Sequence, residues 1–349
     1  MTARFLGLWV NSCNHDKPFY IKPRIREQLN IELSKIKPPK EVPRAIRPLS
    51  SLNNFKASEF DTYLLYVIPV IMRYYLPQQY YDHFLLLSFS SWKLLAHNIS
   101  QKDLYLCRRA LIMFVKRVEI LYGEDQLTHN LHLLTHLTEV VENIGSLVDV
   151  NGYIFEHSNG VVRNMAVGNN NVAKEIVKRF ELSFDAELKL IEEEDKKKKQ
   201  KERRNLSGKT SFESKFQIQF QQQFSGPVPK YQYSKLSMNN ISYTSASYSS
   251  DKKSSNCFVT LDQGECFQIL SFIENDTEIF AFGNRFTTSN PIFVELDDSE
   301  GKEQLKLEHI HELGSSIPTI INVSLFKRKV LVVETRDTTF GIEINSFAF

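Results

Sequence analysis

The sequence predicts an α+β protein in which an all-α N-terminal domain is followed by a small antiparallel β-sheet or barrel domain. Apolar residues recur at helical spacing in the first part of the chain, and short β-like runs replace them in the last part. A charge run, IEEEDKKKKQKERRN at residues 191–205, lies where the periodicity changes. We therefore predict a helical domain at 1–190, a charged linker at 191–211 and a β-rich domain at 212–349.

Length and composition limit the class of protein. The 349 residues suffice for about two domains, and a hydrophobic content of 42% is typical of a folded chain. The net charge of +2 gives no bulk electrostatic reason to expect a nucleic-acid partner. The four cysteines form no CxxC pair, and no apolar run is long enough for a signal peptide or a membrane span. We expect an intracellular protein with no membrane partner and identify no small-molecule substrate.

Start signals and apolar stripes mark the predicted helices. The clearest helix begins at the N-cap Ser100 and ends at Gly123. A proline-rich stretch at residues 38–48 predicts an extended strap before the helices. The other helices are one from Ser58 with a kink at Pro69, one from Pro77, one from Thr128 to Ile144, and a long last helix whose apolar positions run Val172, Ile176, Phe180, Phe184 and Leu188.

The β-rich half consists of short runs with β propensity, separated by Gly, Asn, Asp and Ser. Their short connections favour antiparallel pairing. The predicted strands are Cys257–Leu261, Cys266–Ile273, Ile279–Phe282, Ile292–Leu296, Thr319–Leu325 and Val330–Glu334.

Three histidines, His129, His132 and His136, lie on the helix predicted from Thr128 and could share a metal ion through spacings of three and four residues. No HExxH motif is present, because residue 133 is a leucine. His157 could add a ligand only if the fold brings it close. Partly buried, hydrogen-bonded histidines at the edge of a core are the alternative, and we favour it.

Other catalytic motifs give little support for an enzyme. The sequence contains no GxSxG elbow, P-loop or GxGxxG stretch, and Glu156 of YIFEHSNG is a lone carboxylate near a helix start. The basic part of the charge run could bind phosphate or act as a nuclear-localisation signal, whereas charge alone favours a solvated helix end. Its candidate DNA-binding residues are Lys196, Lys197, Lys198, Lys199, Lys201, Arg203 and Arg204.

Five short stretches occur in a fixed order: IKPP at 36, PRAIRP at 43, FKASEF at 55, YGEDQLTHNLHLLTHL at 122 and GYIFEHSNG at 152. This ordered set resembles the C-terminal part of the transposases encoded by CACTA-type (En/Spm-like) DNA transposons. The resemblance covers about residues 1–190, and the β-rich tail is similar more loosely. No single stretch carries the resemblance alone.

The resemblance implies a ribonuclease-H-like core in which a helical insertion, here residues 24–145, separates the second catalytic Asp from a final Glu. Glu156 is the matching position for that acid, and the complete family enzyme would hold Mg²⁺ between three acids. The D-x-M-H element and the other Asp should precede RFLGLWVNS, yet this sequence begins at Met1. Other acids, Asp61, Asp82 and Asp149, stand in no matching context.

We therefore expect a truncated, transposon-derived fragment that has no cofactor and no transposase activity alone. Its expected partners are DNA or other transposase subunits, and its expected location is the nucleus. The main alternative is a nuclear adaptor that binds DNA or protein. A metalloenzyme using His129, His132 and His136 is the third hypothesis.

Overall fold

The protein is described by a computed structural model that covers residues 1–150, 152–166, 171–198, 204–261, 264–275 and 278–345. Of residues 152–158 and 186–198 only the backbone is described. In these ranges no helix is both long enough and apolar enough to cross a bilayer.

Helices dominate the chain as far as Lys198. Two short helices follow among the strands. The bounds are α1 Thr2–Val10, α2 Pro23–Lys35, α3 Ala57–Thr62, α4 Ile68–Ile71, α5 Gln78–Leu94, α6 Gln101–Tyr122, α7 His129–His132, α8 Leu137–Ile144, α9 Gly152–Met165, α10 Val172–Lys198, α11 Gln217–Gln223 and α12 Ala246–Ser249.

Local signals fixed α6 as predicted, because the Ser100 side chain accepts a hydrogen bond from the Asp103 N–H and Gly123 ends the helix at φ +105°. The helix predicted from Ser58 is interrupted. A π-helical turn at Tyr63–Val67 separates α3 from α4, next to Pro69, which has no N–H to donate.

The single helix predicted from Thr128 to Ile144 is wrong. A 3₁₀ turn at Leu133–His136 separates α7 from α8, and Gly145 at φ +108° ends α8. At the N-terminus of α5, Pro77 is the cap rather than the first helical residue. The proline-rich strap at 38–48 has no helix, as expected.

Antiparallel strands form the second half. Each predicted β-like run overlaps an observed strand, whereas β1, β2, β3, β8 and β11 were not predicted. The bounds are β1 Arg204–Ser211, β2 Tyr231–Met238, β3 Ile241–Thr244, β4 Phe258–Thr260, β5 Cys266–Asn275, β6 Glu278–Ser289, β7 Phe293–Asp298, β8 Gly301–Lys306, β9 Ile310–Asn322, β10 Val330–Glu334 and β11 Thr339–Glu343.

The main sheet has the order β1-β2-β5-β6-β9-β11-β10, with β3 paired to β2 and β4 paired to β5; β7 and β8 form a separate hairpin. The sheet curls, because Val259 of β4 forms an antiparallel bridge with Lys329, which directly precedes β10. The Thr260 N–H also donates to the Arg328 carbonyl over 2.8 Å. The α+β fold class predicted from the sequence is therefore confirmed, with one large curled antiparallel sheet.

Helices α1–α8 and the sheet share one hydrophobic cluster. It joins Phe5, Trp9 and Phe114 of the helices to Phe340 and Ile342 of β11. The division at 1–190, 191–211 and 212–349 stays a prediction. Within the segment assigned to the linker, α10 continues to Lys198 and β1 begins at Arg204.

Candidate functional site

The helix that carries Glu156 is α9, which begins after the α8 terminus. The side chains of Glu156 and His157 lie outside the described residues. Elsewhere, Asp149 lies 3.7 Å from the His97 Nδ1 atom, and Asp82 accepts from Gln78. Across the described ranges, no group of three or more His, Cys, Asp or Glu residues could hold a metal ion.

Large apolar side chains of α9 and α10 face solvent. On α10, Phe180 and Phe184 are 55% and 53% exposed, whereas Phe114 of α6 is 0% exposed. Sequence analysis placed Phe180 and Phe184 in an apolar stripe at helical spacing, and the structure leaves both side chains exposed. The others in this group are Val161, Val162, Val177 and Leu182. Helical periodicity identified an amphipathic face but could not show whether this chain covers it.

The candidate DNA-binding residues divide at the end of the described helix. The last turn of α10 contains Lys196, Lys197 and Lys198, whose side chains lie outside the described residues. The structure does not describe Lys199, Lys201 or Arg203. Arg204 begins β1 and pairs with Met238 of β2.

Two of the three candidate metal-ligating histidines come together. The Nε2 atoms of His132 and His136 lie 3.3 Å apart, and the His136 Nδ1 atom lies 3.2 Å from Glu139 Oε2. Both rings are exposed, as is His129. The favoured alternative, partly buried histidines at a core edge, is wrong about burial, because all three rings are exposed.

Three histidines of the described residues are buried, His83, His309 and His311, and sequence analysis singled out none of them. His83 stacks on Phe114 at 4.3 Å between ring centroids, and its Nε2 lies 2.8 Å from the Phe114 carbonyl. His309 stacks on Trp92 at 3.7 Å and lies 3.1 Å from the Leu65 carbonyl. Burial lowers the pKa of His83 to about 4 and the pKa of His309 to about 3. Both are therefore neutral parts of the core at neutral pH.

A cleft of about 710 Å³ lies between α5, α6 and β7. Burial raises the pKa of Asp82, while the hydrogen bond from Gln78 and the charge of Arg117 oppose that shift. The Arg73 guanidinium lies over the Tyr74 ring at 5.4 Å. The cleft has the volume of a small-molecule site, and its wall carries both signs of charge. It contains no nucleophile–base pair that would define a reaction.

A buried arginine of α6 joins this helix to the β7–β8 hairpin. Arg109 of α6 is buried and donates to both carboxylate oxygens of Asp298, over 3.0 Å and 2.5 Å, and to the Gly301 carbonyl over 2.6 Å. The guanidinium hydrogen bond lowers the pKa of Asp298. These contacts attach the β7–β8 hairpin to α6.

Comparison with known proteins gives no relative: no protein-family model, no curated protein and no solved structure matches this chain significantly.

Proposed function

We propose that this chain is a transposon-derived binding subunit, which has no strand-transfer activity alone and docks through α9–α10 on another transposase subunit. The ordered motif set supports the transposon origin. The exposed apolar side chains of α10, above all Phe180 and Phe184, support the docking role. Contiguous exposed apolar surface is costly in water and commonly marks a protein interface.

The proposed origin gives that surface a physical reason. In the ribonuclease-H-like arrangement implied by the resemblance, residues 24–145 are the helical insertion and the helix with the final acid packs on a central sheet. If another subunit supplies that sheet, α9 and α10 remain uncovered in the isolated chain. Burying one phenylalanine at such an interface contributes about 1.5–3 kcal/mol before the costs of association.

Glu156 is the proposed descendant of the final catalytic acid. A single carboxylate cannot hold the paired Mg²⁺ ions that phosphodiester chemistry uses, and the described residues supply no three-ligand group to complete it. We therefore propose no metal-dependent step for Glu156.

The activity test uses supercoiled plasmid DNA and linear duplex DNA with Mg²⁺. The purified wild-type chain, Glu156→Gln and the control Glu181→Gln on α10 are compared for nicking and strand joining. We expect no activity above buffer in any of the three. Cleavage or joining by the wild-type chain and by Glu181→Gln, but not by Glu156→Gln, would overturn the proposal.

A second candidate function is a nuclear adaptor that binds DNA through the basic run Lys196–Arg204. The observation in its favour is that Lys196–Lys198 form the last described turn of α10, whose described side chains up to residue 185 are largely exposed. Alanine substitution of the lysines should weaken duplex binding, and the salt slope should fall by about one for each phosphate that is no longer neutralised. Lys252→Ala with Lys253→Ala is the control. Duplex DNA affinity that is unchanged by the lysine substitutions in the basic run would exclude this function.

A further inference from the structure

We propose that His132 and His136 form a chelating site for one divalent transition ion of the imidazole-preferring class, such as Zn²⁺, Ni²⁺ or Cu²⁺. This inference is independent of the docking role, because it concerns the turn between α7 and α8. It also differs from a three-histidine site, because no group of three or more ligands occurs in the described part of the chain.

The separation of the two nitrogens is the main observation. Their Nε2 atoms lie 3.3 Å apart, with ring centroids at 5.1 Å and ring planes at 79°. Zinc–nitrogen bonds are about 2.0–2.1 Å long, so two imidazoles at a tetrahedral angle place their nitrogens about 3.3 Å apart. The pair is therefore spaced as two ligands of one ion.

The local fold holds the two rings at this spacing. Their separation of four residues puts them on one side of the helical turn. Leu131 is 1% exposed and fixes that turn to the core. The Thr135 hydroxyl donates to the His132 carbonyl over 2.8 Å and reinforces the 3₁₀ turn. Both imidazoles remain open to solvent, so an ion can reach them and keep water at its other positions.

Glu139 orients the second ligand. Its Oε2 atom lies 3.2 Å from His136 Nδ1, where a carboxylate accepts the Nδ1–H. That hydrogen bond assigns the proton to Nδ1 and leaves the Nε2 lone pair directed at His132. Histidine ligands of metal ions commonly have such a carboxylate behind them.

Zinc titration of the full chain by calorimetry tests this site, in a Cys13→Ser background because Cys13 is an exposed thiol. We expect one ion per chain. His132→Ala and His136→Ala should each abolish that isotherm, and Glu139→Gln should weaken binding about 10-fold. His129→Ala is the matched control and should bind as the parent does.

Three results would overturn the proposal: no stoichiometric zinc binding, binding that survives in both His132→Ala and His136→Ala, or equal loss in His129→Ala. Thermal unfolding without zinc separates loss of a ligand from loss of fold. Because His132 and His136 are exposed, their alanine variants should unfold at the temperature of the Cys13→Ser parent. None of these outcomes depends on the proposed docking face.

Discussion

Lowering the pH from about 7.5 to about 5 should destabilise this protein through two buried histidines, His83 and His309. Burial holds their pKa values at about 4 and about 3, below the ordinary 6.5. Between pH 6.5 and those values, the unfolded chain takes up protons that the folded chain does not. The stabilisation is fully present above pH 6.5 and is lost as the pH falls toward the folded-state values.

The magnitude follows from the size of that gap. At about pH 5, an unfolded-state pKa near 6.5 lies roughly 1.5 units above the pH, while both folded-state values lie below it. At about 1.4 kcal/mol per unit, each histidine reduces the free energy of unfolding by about 2 kcal/mol, and together they reduce it by about 4 kcal/mol. Each Nδ1 atom has no hydrogen-bond partner, so protonation of either ring would bury a charge without compensation.

Urea unfolding at both pH values, followed by tryptophan fluorescence, measures this difference. His309→Phe preserves a flat ring against Trp92, and His83→Phe preserves one against Phe114. Each substitution changes the free energy of unfolding at about pH 7.5 by an amount of its own. The further decrease in that free energy between about pH 7.5 and about pH 5 should be smaller by about 2 kcal/mol in each variant than in wild type. The exposed His129, changed to Gln, is the control and should leave that loss unchanged. A loss equal to wild type in both phenylalanine variants would refute the assignment of the acid sensitivity to these rings.

Other predictions concern contacts that sequence could not reveal. Arg109→Ala should lower the urea midpoint of unfolding, because Asp298 and the Gly301 carbonyl lose their buried donor. Arg108 is exposed, so the control Arg108→Ala should leave the midpoint unchanged. Equal effects of the two substitutions would contradict this role of Arg109. Gly283→Ala should disrupt the β5–β6 pair, since a Cβ there would lie 2.1 Å from the backbone oxygen of Gln268. Circular dichroism and thermal unfolding check the second substitution, and a wild-type Tm would count against it.

Elements of this fold could be predicted from the sequence where the residues that determine them lie close together along the chain. Ser100 and Gly123 fixed α6 because a cap and a positive-φ stop act within one turn. β8, with the sequence GKEQLK, was not predicted because five of its six residues are exposed and it has no apolar alternation. Its place depends on pairing with β7, which a local pattern does not encode.

The candidate sites divide in the same way. The sequence spacing of His132 and His136 placed two imidazoles on one side of a turn. The contact between Glu139 and His136 Nδ1 was not predicted, because it follows from a 3₁₀ turn that interrupts the predicted helix. Burial of His309 against Trp92 joins residues more than two hundred positions apart, so no spacing rule predicts it. Transposon origin, Glu156 as a former catalytic acid and DNA binding by the basic run stay proposals.

The central claim is that α10 presents an uncovered apolar face for another subunit. Unfolding free energy of the double variant Phe180→Ser with Phe184→Ser tests it most directly, because Ser and Phe have similar helix propensities. The claim predicts a change below about 0.5 kcal/mol, against about 3–5 kcal/mol for the buried control Phe114→Ala. A loss in the double variant comparable to that of the control would show that this chain itself covers the face, and would contradict the claim.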